Sequence, residues 1–252
     1  MLQEIVIFGR EIPAYSFWGL IGIAAGMIAV ILRSKKLEIS TDDSIYIFVF
    51  GLIGALVGAK ILYLLLSVEQ IVTDISAGYN LNVLFAKYIS GGLVFYGGMI
   101  GSFVMAYVMA KAYKADIWEQ CKVLIPSIPL VHGVARIGCF FAGCCHGLKA
   151  DTFISITYTT SQYAPNNTPL IPVQLIEAVF NLIIFGILSR YNRSTPGKQY
   201  LFTYVVLYVS GRFMFEFLRG DVIRGSWLML STSQWISLII ITIILLLLKQ
   251  KP

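Results

Sequence analysis

Seven apolar stretches run through this chain, at residues 17–32, 45–66, 92–113, 120–139, 172–188, 199–218 and 233–248, with short polar segments between them. Most are close to the roughly 17–25 residues that carry a helix across a bilayer. In hydrocarbon every backbone N–H and C=O must be satisfied within the protein, so such stretches are read as helices. The composition agrees: 58% of residues are hydrophobic and 13% are charged, against about one quarter charged in soluble domains. The expected fold is an all-α membrane protein of about seven transmembrane helices, forming a single polytopic domain over 1–252. The fourth stretch is the weakest of the seven. Pro126 and Pro129 fall inside it, and each removes a backbone donor. Broken backbone at membrane depth is tolerated only inside protein or against a watery cavity, which points to a cavity nearby.

The polar segments alternate in charge. Arg33, Lys35, Lys36, Lys111, Lys114, Arg190, Arg193, Lys198, Lys249 and Lys251 lie on one side, with Lys122 near them. Arg10, Lys87, Lys149, Arg219 and Arg224 lie on the other. The richer side is cytoplasmic by the positive-inside rule, which places the N-terminus outside and the C-terminus in the cytoplasm. The first stretch has no basic segment before it and its cations follow it, unlike a cleavable signal peptide. The net charge of +6 is thereby accounted for by topology, and no nucleic-acid partner is expected. The longer outer loops cover about 67–90 and 148–171. In the latter "TFISITYT" alternates as a half-exposed strand does, so a small irregular outer cap is expected.

Gly22/Gly26, Gly54/Gly58 and Gly97/Gly101 each place small residues one turn apart, which lets membrane helices approach closely. For the first two pairs this is packing. The third lies in "GGLVFYGGMIG", where Gly91, Gly92, Gly97 and Gly98 flank Tyr96. There the glycines suggest close approach of a lipid head group or of backbone, with Gly97 and Gly98 as substrate-binding positions.

Six ionisable residues fall within or at the ends of the apolar stretches: Lys60, Arg136, Glu177, Arg212, Glu216 and Arg219. A charge at the bilayer centre costs at least ~2.5–3.5 kcal/mol and usually faces a bundle interior. Arg212, Glu216 and Arg219 follow i, i+4, i+7 spacing on one helix face; they form either a self-neutralising ion pair or a site with positive charge to spare. Gln174, Glu177 and Asn181 make a second polar stripe, read first as an interhelical hydrogen-bonding face. Lys60 either snorkels beside Tyr63 or pairs with Glu177. Arg136 follows His132 by four, on the same face. Arginine's planar fork matches phosphate oxygens two at a time and stays charged in an apolar site, so Arg136 and Arg212 together suit one lipid phosphate.

"HGVARIGCFFAGCCHG", residues 132–147, gathers three of the four cysteines. Cys121 is read as inert core. Cys139, Cys144, Cys145 and His146 leave three readings open. They could bind zinc, although adjacent cysteines rarely fit one tetrahedron. Cys139 could close a disulfide with Cys144 or Cys145 on an oxidising outer face. Or the thiols line a site, one of them activated by Arg136 or His146.

Four ordered blocks, "GGLVFYGGMIGS", "ARIGCFFAGCCHG", "PVQLIEAVFN" and "GRFMFEFLRGD", resemble the prolipoprotein diacylglyceryl transferase family, and the similarity runs from "SFWGLIGIAAG" to "LSTSQWISL". The resemblance implies a bacterial plasma (inner) membrane enzyme, multi-pass, with its active site toward the outer face. It implies transfer of diacylglyceryl from phosphatidylglycerol to the lipobox cysteine of a prolipoprotein, releasing glycerol phosphate. By position, Arg136 and Arg212 match the family's essential arginines, and Glu216 the acidic partner that orients Arg212. Cys139, Cys144, Gln174, Glu177 and Arg219 are expected to contact substrate. Three positions depart from the family pattern: Tyr96 stands where histidine is usual, Cys139 for asparagine and Cys144 for glutamate. The proton of the acceptor thiol then falls to His146 or a Tyr96 phenolate, or Cys144 acts as a covalent relay, or the acceptor differs. A different acceptor, and a non-enzymatic thiol-redox or transport protein, are the rival readings. No metal and no cofactor is expected.

Overall fold

In a computed structural model, the structure describes residues 4–7, 9–220, 226–227 and 230–249. A hairpin, β1 (Glu4–Ile7) and β2 (Arg10–Pro13), leads into helix α1 (Ala14–Leu37). Then follow α2 (Thr41–Leu66), α3 (Val68–Ser76), α4 (Leu81–Phe85) with a π-helical turn at Ala86–Ser90, α5 (Phe95–Ala112) and α6 (Ile117–Ala142). After the pair β3 (Ile156–Thr157) and β4 (Pro169–Leu170) come α7 (Val173–Ser189) and α8 (Gly197–Glu216). The pair β5 (Ser226–Trp227) and β6 (Leu230–Ser231) precedes α9 (Thr232–Lys249).

Each apolar stretch of the sequence lies in or largely over one helix, and the fold is mostly helical. Among the described residues three helices, α1, α2 and α6, are long and apolar enough to cross a membrane, with α7 and Thr232–Ile244 as shorter apolar helices. Burial is inverted relative to a soluble protein. Leu20, Ile28, Leu32, Leu56, Ile61 and Leu65 are exposed, while Gln174, Glu177, Asn181 and Gln234 are buried. That exchange is what a lipid surround favours: apolar side chains lose nothing by facing out, and polar ones must find partners inside.

The chain forms two compact units, Met1–Ala29 with Cys121–Pro252, and Val30–Gln120. The Val30–Gln120 unit is built on α2 against α5. Ser40 caps α2 by accepting from the Asp43 N–H at 3.3 Å, and Asp42 and Asp43 sit in the first turn, where negative charge suits the helix dipole. The two helices run antiparallel, with Gly54 opposite Gly101 and Gly58 opposite Gly97. A Cβ on Gly97 would lie 2.5 Å from Leu62 Cβ, and one on Gly98 would lie 3.1 Å from the Ala55 carbonyl. Of the two approaches expected at Gly97 and Gly98, lipid head group or backbone, the contact present is with the backbone of α2. These glycines are buried packing positions, because helix contact without side chains needs both faces bare.

The 67–90 segment, expected as loop, is largely helical. Asp74 in α3 accepts from Lys87 Nζ and Tyr88 Oη, each at 2.7 Å, tying α3 to the π-helical turn. These two donors, Lys87 first, hold the Asp74 carboxyl below its ordinary value. Lys60 Nζ lies beside Tyr63, 5.2 Å from its ring centre. Its ammonium donates to the carbonyls of Tyr88 (3.3 Å), Gly91 and Gly92 (3.0 Å), and so satisfies the carbonyl end of that turn.

In the other unit α6 runs unbroken through Pro126 and Pro129, contrary to the break expected there. Both prolines are fully buried. Membrane helices tolerate proline where surrounding protein compensates the lost backbone donor. Glycines again set the helix contacts. Gly22 of α1 meets the Val131 carbonyl of α6 (2.9 Å from an added Cβ), Gly133 of α6 meets the Ala178 carbonyl of α7 (3.1 Å), and Gly211 of α8 meets the Phe180 ring of α7. Trp18 and Phe141 stack across α1 and α6 at 5.8 Å. A core of Ile125, Ile184, Leu188, Tyr200 and Tyr204 closes one end of the α6–α7–α8 group. Of the "TFISITYT" strand Ile156–Thr157 pairs antiparallel with Pro169–Leu170, and isolated bridges join Tyr158 to Asn166 and Lys149 to Leu170.

Candidate active site

Beyond that core, the three helices turn polar faces toward one another. Each contributes a stripe: His132 and Arg136 from α6, Gln174, Glu177 and Asn181 from α7, and Tyr208, Arg212 and Glu216 from α8. The bare faces at Gly133 and Gly211 let α6 and α8 come close enough to α7 for these stripes to touch. Glu177 is the hub. Its Oε2 lies 2.6 Å from Arg136 Nε in an ion pair. Its Oε1 lies 3.5 Å from Arg212 Nη1 and 3.7 Å from Arg219 Nη1. Arg212 Nη2 binds Glu216 Oε2 at 2.6 Å and donates to Ser233 Oγ on α9 at 3.2 Å. Arg136 Nε also donates to His132 Nε2 at 3.2 Å, so that nitrogen is unprotonated.

Among the described residues the group holds Arg136, Arg212 and Arg219 against Glu177 and Glu216, three positive charges and two negative. Both readings of the α8 charges hold at once. The intrahelical pair forms, and among the described residues the cations of the cluster outnumber its anions. Arg219 reaches the hub from beyond the helix, since α8 stops at Glu216 and Phe217 caps it; the single-face reading applies to Arg212 and Glu216 alone. A cavity lined by His132, Arg136, Glu177, Asn181, Tyr208 and Arg212 opens between the stripes, with a volume of about 10 Å³. That is room for about one water. Asn181 is 2% exposed and its Oδ1 has no hydrogen-bond partner among the described residues, an orphan acceptor on a cavity-lining residue.

The thiols form a second cluster at the end of α6. The Sγ atoms of Cys139, Cys144 and Cys145 all lie within 4.8 Å of one another, and none is in a disulfide. Gly143 (φ 80°) and Cys145 (φ 58°) adopt left-handed backbone. That double reversal accounts for two adjacent cysteines presenting their sulfurs together. Gln174 Nε2 donates to the Cys144 carbonyl at 2.8 Å and pins the turn to α7. Hydrogen bonds from Cys139 and Cys144 hold the Cys145 thiol well below its ordinary value, and Arg136 and Arg219 add to this. Interaction with Cys139 and Cys145, together with burial, pushes the Cys144 thiol up. Cys144 also lines an open cleft of about 400 Å³ with Tyr15, Ala142, Gln162 and Tyr163.

The remaining candidates are placed differently. His146 is buried and its Nδ1 lies 3.0 Å from the Gly147 carbonyl; it is not among the clustered metal-type donors. Tyr96 belongs to the Val30–Gln120 unit, at the start of α5 with Phe95 edge-on at 5.9 Å. Tyr208, Phe180, Phe215 and Ser233 were not expected from the sequence. Of these only Tyr208, one turn before Arg212, carried a readable signal.

The model of the prolipoprotein diacylglyceryl transferase family matches residues 4–249. The chain belongs to this family. It is 36% identical over 238 residues to the phosphatidylglycerol–prolipoprotein diacylglyceryl transferase of Clostridium tetani, covering 94% of this chain and 92% of that one. It is 31% identical over 236 residues to the Clostridium perfringens protein named phosphatidylglycerol–prolipoprotein diacylglyceryl transferase 2, covering 93% and 89%. The Oceanobacillus iheyensis transferase is 29% identical over 255 residues, covering 95% and 86%. Such relatives, together with the apolar helices, make this a bacterial membrane protein, and the family match spans both the arginine cluster and the thiols.

Proposed function

We propose that this chain transfers a diacylglyceryl group from phosphatidylglycerol to the lipobox cysteine thiol of a prolipoprotein, releasing glycerol phosphate. The observation that carries the reading is the convergence of Arg136 and Arg212 on Glu177, which leaves a buried, net positive site beside helices whose apolar faces turn outward. Breaking the glyceryl carbon–oxygen bond gathers negative charge on the phosphate. Guanidinium groups already in place stabilise that charge without reorganising at the moment of reaction. In the resting protein Glu177 takes the place of the lipid phosphate. On binding, phosphate oxygens replace part of its contacts with Arg136 and Arg212, and Glu216 keeps Arg212 oriented. Arg219 holds the far side of Glu177. The orphan Oδ1 of Asn181 suits a hydroxyl of the glycerol head group, since a buried acceptor gains most from a donor delivered by the ligand.

In this reading seven spans cross the plasma membrane, the N-terminus lies outside and the active site opens toward the outer face, with 1–252 acting as one domain. The charge alternation supports that orientation. Cys139 and Cys144, with Gln174 behind them, lie toward the acceptor. Tyr96 and His146 are the side chains available for the thiol proton if a protein base takes it.

The test is incubation of the purified protein with labelled phosphatidylglycerol and a lipobox peptide. Glycerol phosphate and lipidated peptide should appear in equal amounts, and Arg136→Ala and Arg212→Ala should each abolish both. Full activity in Arg136→Ala would refute the mechanism. Glycerol phosphate without lipidated peptide would refute the acceptor.

A further inference from the structure

We infer that Cys139, Cys144 and Cys145 form a binding site for a thiophilic divalent cation such as zinc, with a fourth coordination position open to the acceptor thiol. This rests on the transferase reading for the identity of the acceptor, and on the cluster alone for the metal. No metal was expected from the sequence, because adjacent cysteines seldom serve one tetrahedron. The left-handed backbone at Gly143 and Cys145 removes that objection.

A tetrahedral zinc–thiolate site with bonds of about 2.3 Å spaces its sulfurs roughly 3.8 Å apart. The three Sγ atoms already lie within 4.8 Å of one another, so each pair needs to close by at most about 1 Å. They are free thiols, partly shielded: Cys139 is buried, and Cys144 and Cys145 are half-buried.

Three protein ligands with an open fourth position distinguish a reactive zinc site from a structural one. The open side here is the cleft that Cys144 shares with Tyr15, Gln162 and Tyr163. That is where an acceptor peptide can bring a cysteine. A thiol that joins such a metal loses its proton outright, and thiolate is the nucleophilic form. The S–H proton passes to solvent. The sulfur, still carrying its electron pair, attacks the glyceryl carbon, and the carbon–oxygen bond breaks with both electrons going to the phosphate oxygen. A thioether forms, glycerol phosphate leaves, and the metal changes neither charge nor oxidation state.

Cobalt(II) serves as the probe, because thiolate ligands give it an intense charge-transfer band. The reduced, full-length protein in nanodiscs should bind a single cobalt per chain with that band, zinc should displace it, and Cys139→Ser, Cys144→Ser and Cys145→Ser should each lose it. A phosphatidylglycerol-dependent rise in melting temperature shows that each variant is folded, with its arginine site intact. A lipobox peptide should then shift the cobalt ligand-field bands, and the same peptide with serine for cysteine should leave them unchanged. Absence of the thiolate band in the folded, reduced protein would overturn the site. A band indifferent to the cysteine peptide would overturn the open position. The transferase reading fails separately, through absence of glycerol phosphate from labelled lipid whatever the cobalt spectrum shows.

Discussion

Replacing Glu177 by glutamine tests how much of the site rests on one carboxylate. The change keeps the shape and two polar atoms but removes the charge that faces Arg136 at 2.6 Å, Arg212 at 3.5 Å and Arg219 at 3.7 Å. The cluster goes from three positive and two negative charges to three and one, a net of +2. Glu177 is 3% exposed, so water does little to screen the change. Removing one partner of a buried ion pair costs about 3–5 kcal/mol. For a chain of this size each kcal/mol moves the melting temperature by about 2–4 °C, so Glu177→Gln should melt roughly 6–20 °C lower. Phosphatidylglycerol should restore part of that loss, and restore more to the variant than to the parent, because the lipid phosphate supplies the missing negative charge. The assay is thermal unfolding in nanodiscs with zwitterionic lipid, repeated with increasing phosphatidylglycerol. A variant as stable as the parent, or one that gains no more from the anionic lipid, would refute the hub role of Glu177.

Further outcomes are expected. Arg136→Lys keeps the charge but loses the planar fork, and lipidation should fall by about 10²–10³-fold in the labelled-lipid assay. Gly101→Ala drives a Cβ into the Gly54 carbonyl of α2 and should destabilise by about 1–3 kcal/mol. Gly186→Ala has open space around it and should be neutral or stabilising by about 0.5–1 kcal/mol; thermal unfolding separates the two. The Asp74 carboxyl is held below its ordinary 3.8 by Lys87 and Tyr88, so its contribution is present above about pH 3.8 and lost as pH falls through the lowered value. Hydrogen exchange over 68–90 should quicken below that pH, and Asp74→Asn should show the quicker exchange already at neutral pH.

The charged part of the site was readable in the sequence for a physical reason. A charge inside an apolar run is expensive and stands out, so Arg136, Arg212, Glu177 and Glu216 were all marked before any coordinates. Which of them meet was not readable, because helix adjacency depends on glycines such as Gly133 and Gly211, whose partners lie far away in the chain. The Glu177 hub, and the use of Lys60 on backbone carbonyls, emerged only with the fold. Which of lipid and backbone approaches Gly97 and Gly98 was not readable for the mirror reason: bare helix faces look alike whether lipid or another helix covers them. The break expected at Pro126 and Pro129 did not occur, since local propensity yields to burial on all sides. The grouping of Cys144 with Cys145 depended on a left-handed residue that is not glycine, which no pattern of residue types announces.

A structure of the protein with phosphatidylglycerol bound tests the central claim most directly. The lipid phosphate should accept hydrogen bonds of about 2.7–2.9 Å from both Arg136 and Arg212, with Glu177 drawn back from at least one of them. A phosphate bound elsewhere, with both arginines still closed on Glu177, would contradict it.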